Sequence, residues 1–258
     1  MYISSDSNSD DQLTFGYIDN KEQLFLPLFV KNIIDSIQYN NMKSYTKKLY
    51  NKYSDDNSQI EELLDPIAIQ KIPIELLSKY YARLYTIESN FCKDMNKNLR
   101  GLNNLENYLP YIKTLYEGVK LKSLPLCFNN ILYRGSKLSN IEIKKIMNRT
   151  NINDKIIFAK SFISFYKDKN IAESFLKYEN SNQNLPIVLY TLEKNDNMDY
   201  NLSTYCDMEN ISYFPDEQEV LFFPFSFFEI KEIKEMHIEN EKGYEIKLLY
   251  LGKYTTDE

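Results

Sequence analysis

Apolar residues in the first half of the chain recur at intervals of three and four, which is the spacing of one face of a helix. This spacing predicts a helix across residues 30–49, with polar side chains on its opposite face. Ser58 and Glu61 match a capping box, so we expect a second helix to begin there and to end at Asp65 and Pro66. The early part of the chain is therefore predicted to be helical.

The longest helical pattern lies between residues 76 and 99. Pro73 suits the first turn of a helix and Gly101 suits its end, so we predict one helix between them. Its aromatic residues fit a protein core better than a ligand site. Residues 109–119 predict one further helix, and the region 21–128 is interpreted as a helical lobe.

After Pro125 the apolar residues change to short runs and alternations typical of strands. One short helix is expected at 169–176, with Phe175 facing inward. We expect the last two strands to form a hairpin around residues 241–243. The predicted strands are 131–135, 156–159, 161–164, 186–192, 220–223, 227–233 and 244–251.

These patterns predict an α+β fold in which an N-terminal helical lobe packs on a mainly antiparallel, two-sheet β core. The core is expected at 129–258, and lobe and core are expected to form one domain. Residues 1–20 are rich in Ser, Asn and Asp, so we interpret them as a mobile tail.

Charge and composition exclude several classes of protein. The net charge of −6 and the pI near 5.1 disfavour a nucleic-acid surface. No segment resembles a signal peptide or a membrane span, so we expect no membrane insertion. We expect a cytoplasmic protein, or one secreted into a host without a signal peptide, acting as a monomer. The three cysteines are widely spaced and there is one histidine, His237, so no metal site is expected.

Glycine usage bears on how the chain could bind a phosphate. The six glycines form neither a dinucleotide-binding turn nor a P-loop, so side chains would have to hold any phosphate. Guanidinium groups suit that task because their planar fork matches phosphate oxygens. The four arginines are Arg83, Arg100, Arg134 and Arg149.

Two carboxylates, Glu217 and Glu219, stand where a Pro-Asp turn leads into a buried strand. In extended backbone, residues two apart face the same way, so both side chains are expected on one face. Like charges that close raise each other's pKa unless a cation or a reacting centre separates them. The pair indicates either a functional site or a solvated turn before a strand.

Three sequence pieces follow one another in the second half: Leu132-Tyr133-Arg134-Gly135, then Lys160-Ser161-Phe162-Ile163-Ser164-Phe165-Tyr166, then Glu217-Gln218-Glu219-Val220-Leu221-Phe222. Their order and spacing resemble the arginine–serine–glutamate class of mono-ADP-ribosyltransferases, which includes clostridial-type toxins and vertebrate ecto-enzymes. The resemblance covers residues 73–251, and its helical part includes Tyr85-Thr86 and Asn96-Lys97-Asn98-Leu99-Arg100.

The resemblance implies a substrate, a reaction and a partner. The substrate would be NAD, the product nicotinamide, and the partner a target protein with an acceptor arginine. Glu219 would be the catalytic carboxylate beside the ribose, and Glu217 would engage the acceptor. Ser164 would hold Glu219 or the ribose in place.

The resemblance also implies residues that bind NAD. Arg134 would bind the phosphates, with Arg100 as a second phosphate contact. Gly135 would let the backbone approach the nicotinamide amide, and Phe175 would pack on the nicotinamide ring.

The family usually reads Ser-Thr-Ser where this chain has Ser164-Phe165-Tyr166, so the chain departs from the family at Phe165 and Tyr166. Two alternatives stay open beside protein-arginine ADP-ribosylation, and the departure supports the second of them. One is an NAD glycohydrolase, which gives the ADP-ribosyl group to water. The other is a catalytically silent module that binds NAD or a partner.

Overall fold

The structure of the chain is a computed structural model that describes residues 15–17, 42–53, 58–69, 72–87, 89–101, 103–127, 131–148, 155–178, 185–195, 203–238 and 241–252. Most of the predicted tail, the first part of the helix predicted at 30–49, and Arg149 lie outside these residues. Of the tail, Phe15–Tyr17 forms a strand, β1, so the tail prediction is wrong for these three residues.

The helical lobe consists of five helices in the described part of residues 42–120: α1 (Met42–Tyr53), α2 (Ser58–Ile69), α3 (Ile74–Tyr85), α4 (Asn90–Gly101) and α5 (Leu109–Lys120). Its buried apolar side chains form one core, in which Tyr81 and Tyr111 stack with ring centroids 4.8 Å apart. Gly118 permits the close contact of α3 and α5, because a Cβ there would lie 2.5 Å from the side chain of Ser78. The helix predicted at 109–119 is confirmed.

The single helix predicted between Pro73 and Gly101 is wrong, because the structure has two helices there. The Thr86 hydroxyl donates to the carbonyl of Arg83 and closes α3. Ser89 precedes α4, and its hydroxyl oxygen accepts a hydrogen bond from the Cys92 N–H at 3.4 Å. These local bonds satisfy backbone groups at a break that the apolar spacing does not reveal.

Helix α2 begins at Ser58, as predicted, but does not end at Pro66. It continues to Ile69. A proline keeps a φ angle compatible with a helix, so the helix can continue past it, although the proline lacks an N–H donor and its ring crowds the carbonyl four residues earlier.

In the described part of the chain, nine strands form one hydrogen-bonded sheet with the order β1-β3-β8-β9-β5-β2-β4-β7-β6. All pairs are antiparallel except β5 with β9. The pair β2–β4 has one residue couple in register, Tyr133 with Tyr166, and this narrow link divides the strands into two groups, consistent with a two-sheet core. The strands after β1 are β2 (Leu132–Lys137), β3 (Ile156–Ala159), β4 (Ile163–Tyr166), β5 (Ile187–Lys194), β6 (Tyr205–Asp207), β7 (Glu219–Phe222), β8 (Phe227–Ile238) and β9 (Glu241–Gly252).

The sheet separates two larger apolar cores. On β7, Leu221 and Phe223 after it belong to the core shared with the helical lobe, whereas Val220 and Phe222 belong to the core on the other face. A third, smaller cluster lies under the helix α7 (Lys169–Tyr178), which the sequence predicted. The α+β prediction, with a helical lobe packed on a mainly antiparallel core, is therefore confirmed.

Several boundaries differ from the prediction. β2 does not end at Gly135 but continues to Lys137, because it stays paired with β5. The strand predicted at 161–164 lies two residues further along the chain, as β4. Ser164 is therefore the second residue of the strand rather than its last. The final hairpin is longer than predicted, and residues 241–243 belong to β9 rather than to the turn.

Besides β1, helix α6 and strand β6 were not predicted. Helix α6 (Asn140–Met147) begins with a complete capping box between Ser139 and Glu142. The sequence carries that signal. β6 is three residues long and pairs only with β7, so its pattern is too short to identify. Among the described residues, no helix is both long enough and apolar enough to cross a bilayer.

Candidate active site

The three residues that define the predicted motif come from three neighbouring strands. Arg134 lies on β2, Ser164 on β4 and Glu219 at the start of β7, and these strands are adjacent in the order β2-β4-β7. Alternation along β7 places Glu219 on the same face as Leu221, which is the face covered by the helical lobe. The motif therefore faces the helices, beside the narrow link between the two groups of strands.

Glu219 is a buried carboxyl, with 6% of its surface exposed. Burial raises its pKa from the ordinary 4.5 to about 7, and the nearby negative charge of Glu217 acts in the same direction. The Ser164 hydroxyl and the positive charge of Arg134 oppose this rise in pKa. Glu219 is thus poised to change its charge near neutral pH.

Ser164 and Arg134 support this carboxyl. The Ser164 hydroxyl lies within hydrogen-bonding reach of the Glu219 side chain. Arg134 donates from Nη1 to the backbone carbonyl of Ser164 at 2.9 Å, which fixes both residues. The Nε of Arg134 is buried and has no hydrogen-bond partner among the residues that the structure describes. A buried guanidinium nitrogen without a partner is costly, so its position is consistent with a missing acceptor such as a phosphate oxygen.

Arg100, in the last turn of α4, is close enough to Arg134 for their charges to interact. Burial lowers the pKa of Arg100, and the charge of Arg134 lowers it further. Among the described residues, neither arginine forms an ion pair with a carboxylate. Two guanidinium groups that share a site without a carboxylate partner favour the binding of an anion between them.

Glu217 reaches the site by a different route from the one predicted. It ends a 3₁₀ turn (Pro215–Glu217), and Gln218 after it has a φ of 50°, in the left-handed region. Strand alternation therefore does not set the direction of Glu217, and that part of the prediction is wrong. Glu217 nevertheless lies near enough to raise the pKa of Glu219, so the two carboxylates do share one site.

An aromatic pair borders the site on the side of α7. The rings of Phe175 and Tyr166 are stacked, with centroids 4.8 Å apart and an interplanar angle of 17°. Gly135 has a packing reason to be glycine, because a Cβ there would lie 2.2 Å from the carbonyl oxygen of Ala172 in α7. The expected contact of its backbone with nicotinamide stays a prediction.

The helical lobe contributes a polar group, the amide of Asn96, on the side of the site opposite the aromatic pair. The Asn96 amide donates to the phenol oxygen of Tyr85 at 3.0 Å, and its carbonyl oxygen accepts from the N–H of Phe162 at 3.3 Å. Burial raises the pKa of Tyr85, and the charge of Glu219 raises it as well. Asn96 therefore links α4 to the segment that leads into β4.

Solved structures of ADP-ribosyltransferases resemble this chain. The Vis ADP-ribosyltransferase of Vibrio splendidus, solved with an inhibitor named M6, matches with a TM-score of 0.51 and 20% identity over 70% of this chain and 76% of that one. The chain has the ADP-ribosyltransferase fold. HopU1 of Pseudomonas syringae pv. Tomato, also an ADP-ribosyltransferase, matches with a TM-score of 0.48 and 15% identity over 67% of this chain and 76% of that one. No protein-family model matches the sequence, and no curated protein matches it.

On the ADP-ribosyltransferase fold of this chain, the predicted site residues fall into a polar group around Glu219 and an aromatic group beside it. Arg134, Ser164, Glu217 and Glu219 lie together, and Arg100 joins them through Arg134. The side chain of Phe175 lies beside them through its stack on Tyr166. Within the described residues, no cluster of His, Cys, Asp and Glu could hold a metal ion.

Two sets of contacts hold the segment between β6 and β7, which carries Glu217. Lys167, directly after β4, forms ion pairs with Asp207 at 2.8 Å and Glu209 at 2.7 Å, and its N–H donates to the carbonyl of Gln218. At the other side, the guanidinium of Arg83 lies over the ring of Tyr213, 4.1 Å from its centroid. We name residues 208–218 the acceptor loop.

Sequence reasoning missed Tyr166 as a site residue. The Tyr166 phenol interacts with the charges of Glu219, Arg134 and Glu217 and lies within hydrogen-bonding reach of Ser164. A signal was present, because Tyr166 follows Ser164 by two positions and so shares its face.

Proposed function

We propose that this chain is a mono-ADP-ribosyltransferase of the arginine–serine–glutamate class, which transfers ADP-ribose from NAD to an arginine of a target protein and releases nicotinamide. The observation that carries the proposal is the buried Glu219, whose carboxyl lies on one face with Ser164. Near it are two guanidinium groups that form no ion pair with a carboxylate in the described part of the chain. An anion site beside a buried carboxylate suits a substrate with a diphosphate at one end and a developing positive charge at the other.

The residues present fit NAD as the substrate. Arg134 retains a buried, unpartnered Nε, and Arg100 brings a second guanidinium to the same place, so the two would hold the diphosphate. The chain has no glycine-rich phosphate loop, so side chains must do this work. The aromatic pair of Tyr166 and Phe175 would border the nicotinamide ring.

Glu219 supplies the electrostatic part of the reaction. Breaking the bond between nicotinamide and ribose builds positive charge on the ribose, and an ionised carboxylate beside it stabilises that charge. Glu219 must therefore be deprotonated to act. The positive charge of the nicotinamide ring would lower the pKa of Glu219 when NAD binds, which favours the active form.

Glu217 supplies the acceptor side. A carboxylate binds a guanidinium through two parallel hydrogen bonds, so Glu217 would hold the target arginine. It would also accept the proton that the arginine nitrogen loses when it attacks the ribose carbon. The new bond joins that nitrogen to ADP-ribose, and the pair of electrons from the broken bond leaves with nicotinamide.

The test is incubation with labelled NAD and proteins that offer exposed arginines, following free nicotinamide and protein label separately. We expect Glu219→Gln to abolish both products, because nothing then stabilises the ribose cation. Glu217→Gln is expected to abolish the protein label while nicotinamide release persists. Glu106→Gln, which changes an exposed glutamate in the helical lobe, is the matched control and should retain both.

The same experiment separates the alternatives. Nicotinamide release without protein label, over a wide range of acceptors, would identify an NAD glycohydrolase. No release at all would contradict the enzyme proposal. If NAD then still raised the melting temperature, the chain would be a silent module that binds NAD, because a ligand of the native state alone stabilises it by mass action.

A further inference from the structure

Tyr166 stands directly opposite Glu219 in the antiparallel pair of β4 and β7. Residues opposite each other in such a pair lie on one face of the sheet, with Cβ atoms about 5 Å apart. Ser164 shares that face because it lies two residues earlier on β4. Burial raises the pKa of both the Tyr166 phenol and the Glu219 carboxyl, and hydrogen bonding with Ser164 lowers it in each, so the serine interacts with both groups.

The protons available to these three groups fix the direction of the hydrogen bonds. An ionised carboxylate can only accept, whereas a serine hydroxyl has one proton to donate and can also accept. Burial raises the pKa of Tyr166, and the charge of Glu219 raises it further, so the phenol keeps its proton. Both protons are used when Tyr166 donates to Ser164 and Ser164 donates to Glu219.

The positions of Tyr166 and Ser164 are held independently of this chain of hydrogen bonds. Phe175 stacks on the Tyr166 ring at 4.8 Å, which limits its rotation. Arg134 binds the Ser164 carbonyl at 2.9 Å. The phenol is therefore held in place on a strand rather than on a flexible loop, which is what a precise hydrogen bond requires.

We propose that Tyr166 is a positioning residue that acts on Glu219 through Ser164, holding the carboxylate ionised and aimed at the ribose. Its catalytic consequence rests on the proposed function, but the hydrogen-bond chain itself does not. The phenol polarises the serine hydroxyl, and a polarised hydroxyl donates a stronger hydrogen bond to the carboxylate. Tyr166 occupies the position where the family usually has a serine. It thus supplies a second hydrogen-bond donor, and its acceptor is the Ser164 hydroxyl.

Other groups also affect the charge of Glu219 and stay constant in the test. They come from the sheet, the acceptor loop and the helical lobe. Burial raises the pKa of the Tyr85 phenol and of the Cys92 and Cys206 thiols, so these three groups remain uncharged near neutral pH. The groups are Arg134, Glu217, Tyr85, Cys92 and Cys206.

The decisive measurement is the pKa of Glu219, read from carboxyl ¹³C signals of labelled protein and assigned by comparison with Glu219→Gln. Tyr166→Phe keeps the ring stack and removes the hydroxyl. We expect it to raise the pKa of Glu219 by about 0.3 pH unit, as expected for losing a cooperative share of one charged hydrogen bond. An unchanged or lowered pKa in the folded variant would overturn the proposal.

Two further variants show whether the effect passes through Ser164. Ser164→Ala is expected to raise the pKa of Glu219 more, and Tyr166→Phe should add nothing in that background. An equal added shift there would mean that the phenol acts without Ser164 and would overturn the proposal. Tyr116→Phe is the control for a merely structural loss, because it removes a phenol that donates to the Pro224 carbonyl and should leave the pKa of Glu219 unchanged.

If Tyr166→Phe does not fold, Phe175→Leu replaces it, since it frees the ring without removing the phenol. We expect a rise in the pKa of Glu219 in that variant too, and no rise would contradict the proposal.

Kinetics supply the link to catalysis. The acid limb of a plot of the nicotinamide-release rate against pH should shift in Tyr166→Phe by the same amount as the pKa of Glu219. The rate should therefore fall about twofold more at pH 6 than at pH 9. The titration needs no turnover, so an inactive wild type would refute the proposed function while the hydrogen-bond chain is still tested.

Discussion

The two glutamates of the site are held in contrasting ways. Glu219 is buried at the start of a strand, and its support comes from neighbouring strands through Ser164 and Arg134. Glu217 is partly exposed at the end of a 3₁₀ turn, and its support comes from side chains that anchor the acceptor loop. The sheet therefore fixes the carboxylate assigned to NAD, whereas replaceable surface contacts place the one assigned to the acceptor.

This difference should divide the effects of mutation. Changes on the strands should alter every product of the reaction and the stability of the fold. Changes at the anchors of the acceptor loop should alter transfer to protein and spare nicotinamide release.

The largest expected effect is on stability, in Glu219→Gln. The pKa of Glu219 is raised to about 7 in the native state, whereas the unfolded chain loses this proton near 4.5. Wild type therefore loses stability as the pH rises from about 4.5 to 7, and the loss is complete above that range. We expect the variant to be more stable than wild type by about 3 kcal/mol at pH 8, and nearly equal at pH 4.

Denaturant unfolding at the two pH values measures this difference, with Glu217→Gln as the comparison. Because Glu217 is partly exposed, its variant should show a much smaller dependence on pH. Equal stability of wild type and Glu219→Gln at pH 8 would mean that ionisation of Glu219 in the native state does not lower the free energy of unfolding.

The next effect concerns Arg134→Lys. A lysine keeps the positive charge but cannot donate to the Ser164 carbonyl and to a phosphate with one planar group. We expect nicotinamide release to fall about a hundredfold, the equivalent of one lost charged hydrogen bond. Steady-state kinetics measure this fall in nicotinamide release, with Lys137→Arg on the same strand as the control. A fall of less than threefold would mean that Arg134 does not bind NAD.

Lys167→Met tests the first anchor of the acceptor loop. The substitution leaves Asp207, a buried carboxylate, without its cation and removes the ion pair with Glu209, so the loop should loosen near Glu209 while the backbone hydrogen bond to Gln218 remains. We expect transfer to protein to fall about tenfold while nicotinamide release stays within about twofold of wild type, since Glu219 is held elsewhere. The control is Lys169→Met, which removes a partly exposed pair with Glu173. Parallel loss of both products would show that the loop and the strands are not independent.

Arg83→Gln tests the second anchor and has the smallest expected effect. A cation over an aromatic ring at an exposed site contributes about 0.5–1 kcal/mol, so transfer should weaken about two- to fivefold. The loss should be in the KM for the acceptor protein. Tyr213→Phe keeps the ring and should behave like wild type. A fall in nicotinamide release would contradict the assignment of Arg83 to the acceptor loop alone.

The parts of the fold that the sequence predicted well are those where burial repeats with a fixed period. Helix α5 and strand β7 each have one apolar pattern whose bounds lie within one residue of those of the element. The break between α3 and α4 was missed because the apolar spacing stays in phase across it. Only the local bonds of Thr86 and Ser89 reveal that break, and a periodicity does not record them.

The site shows the same division. Arg134, Ser164 and Glu219 could be selected because their motifs resemble those of a known family, and the strand order then brings them together. The direction of Glu217 could not, since it depends on the left-handed backbone of Gln218, a conformation that glutamine rarely adopts. The role of Tyr166 depends on register between β4 and β7, which no single strand pattern specifies.

Strand β9 occupies the centre of the sheet, between β8 and β5, although it is the last described strand to be synthesised. Until the ribosome has produced residues 241–252, β8 and β5 each lack a neighbour, and the strands that carry the site have an open edge at β5. Open edges of this kind attract other unpaired strands. The nascent chain therefore has to keep two half-sheets apart from other chains until one late strand joins them, so the yield of folded protein is set at the end of translation.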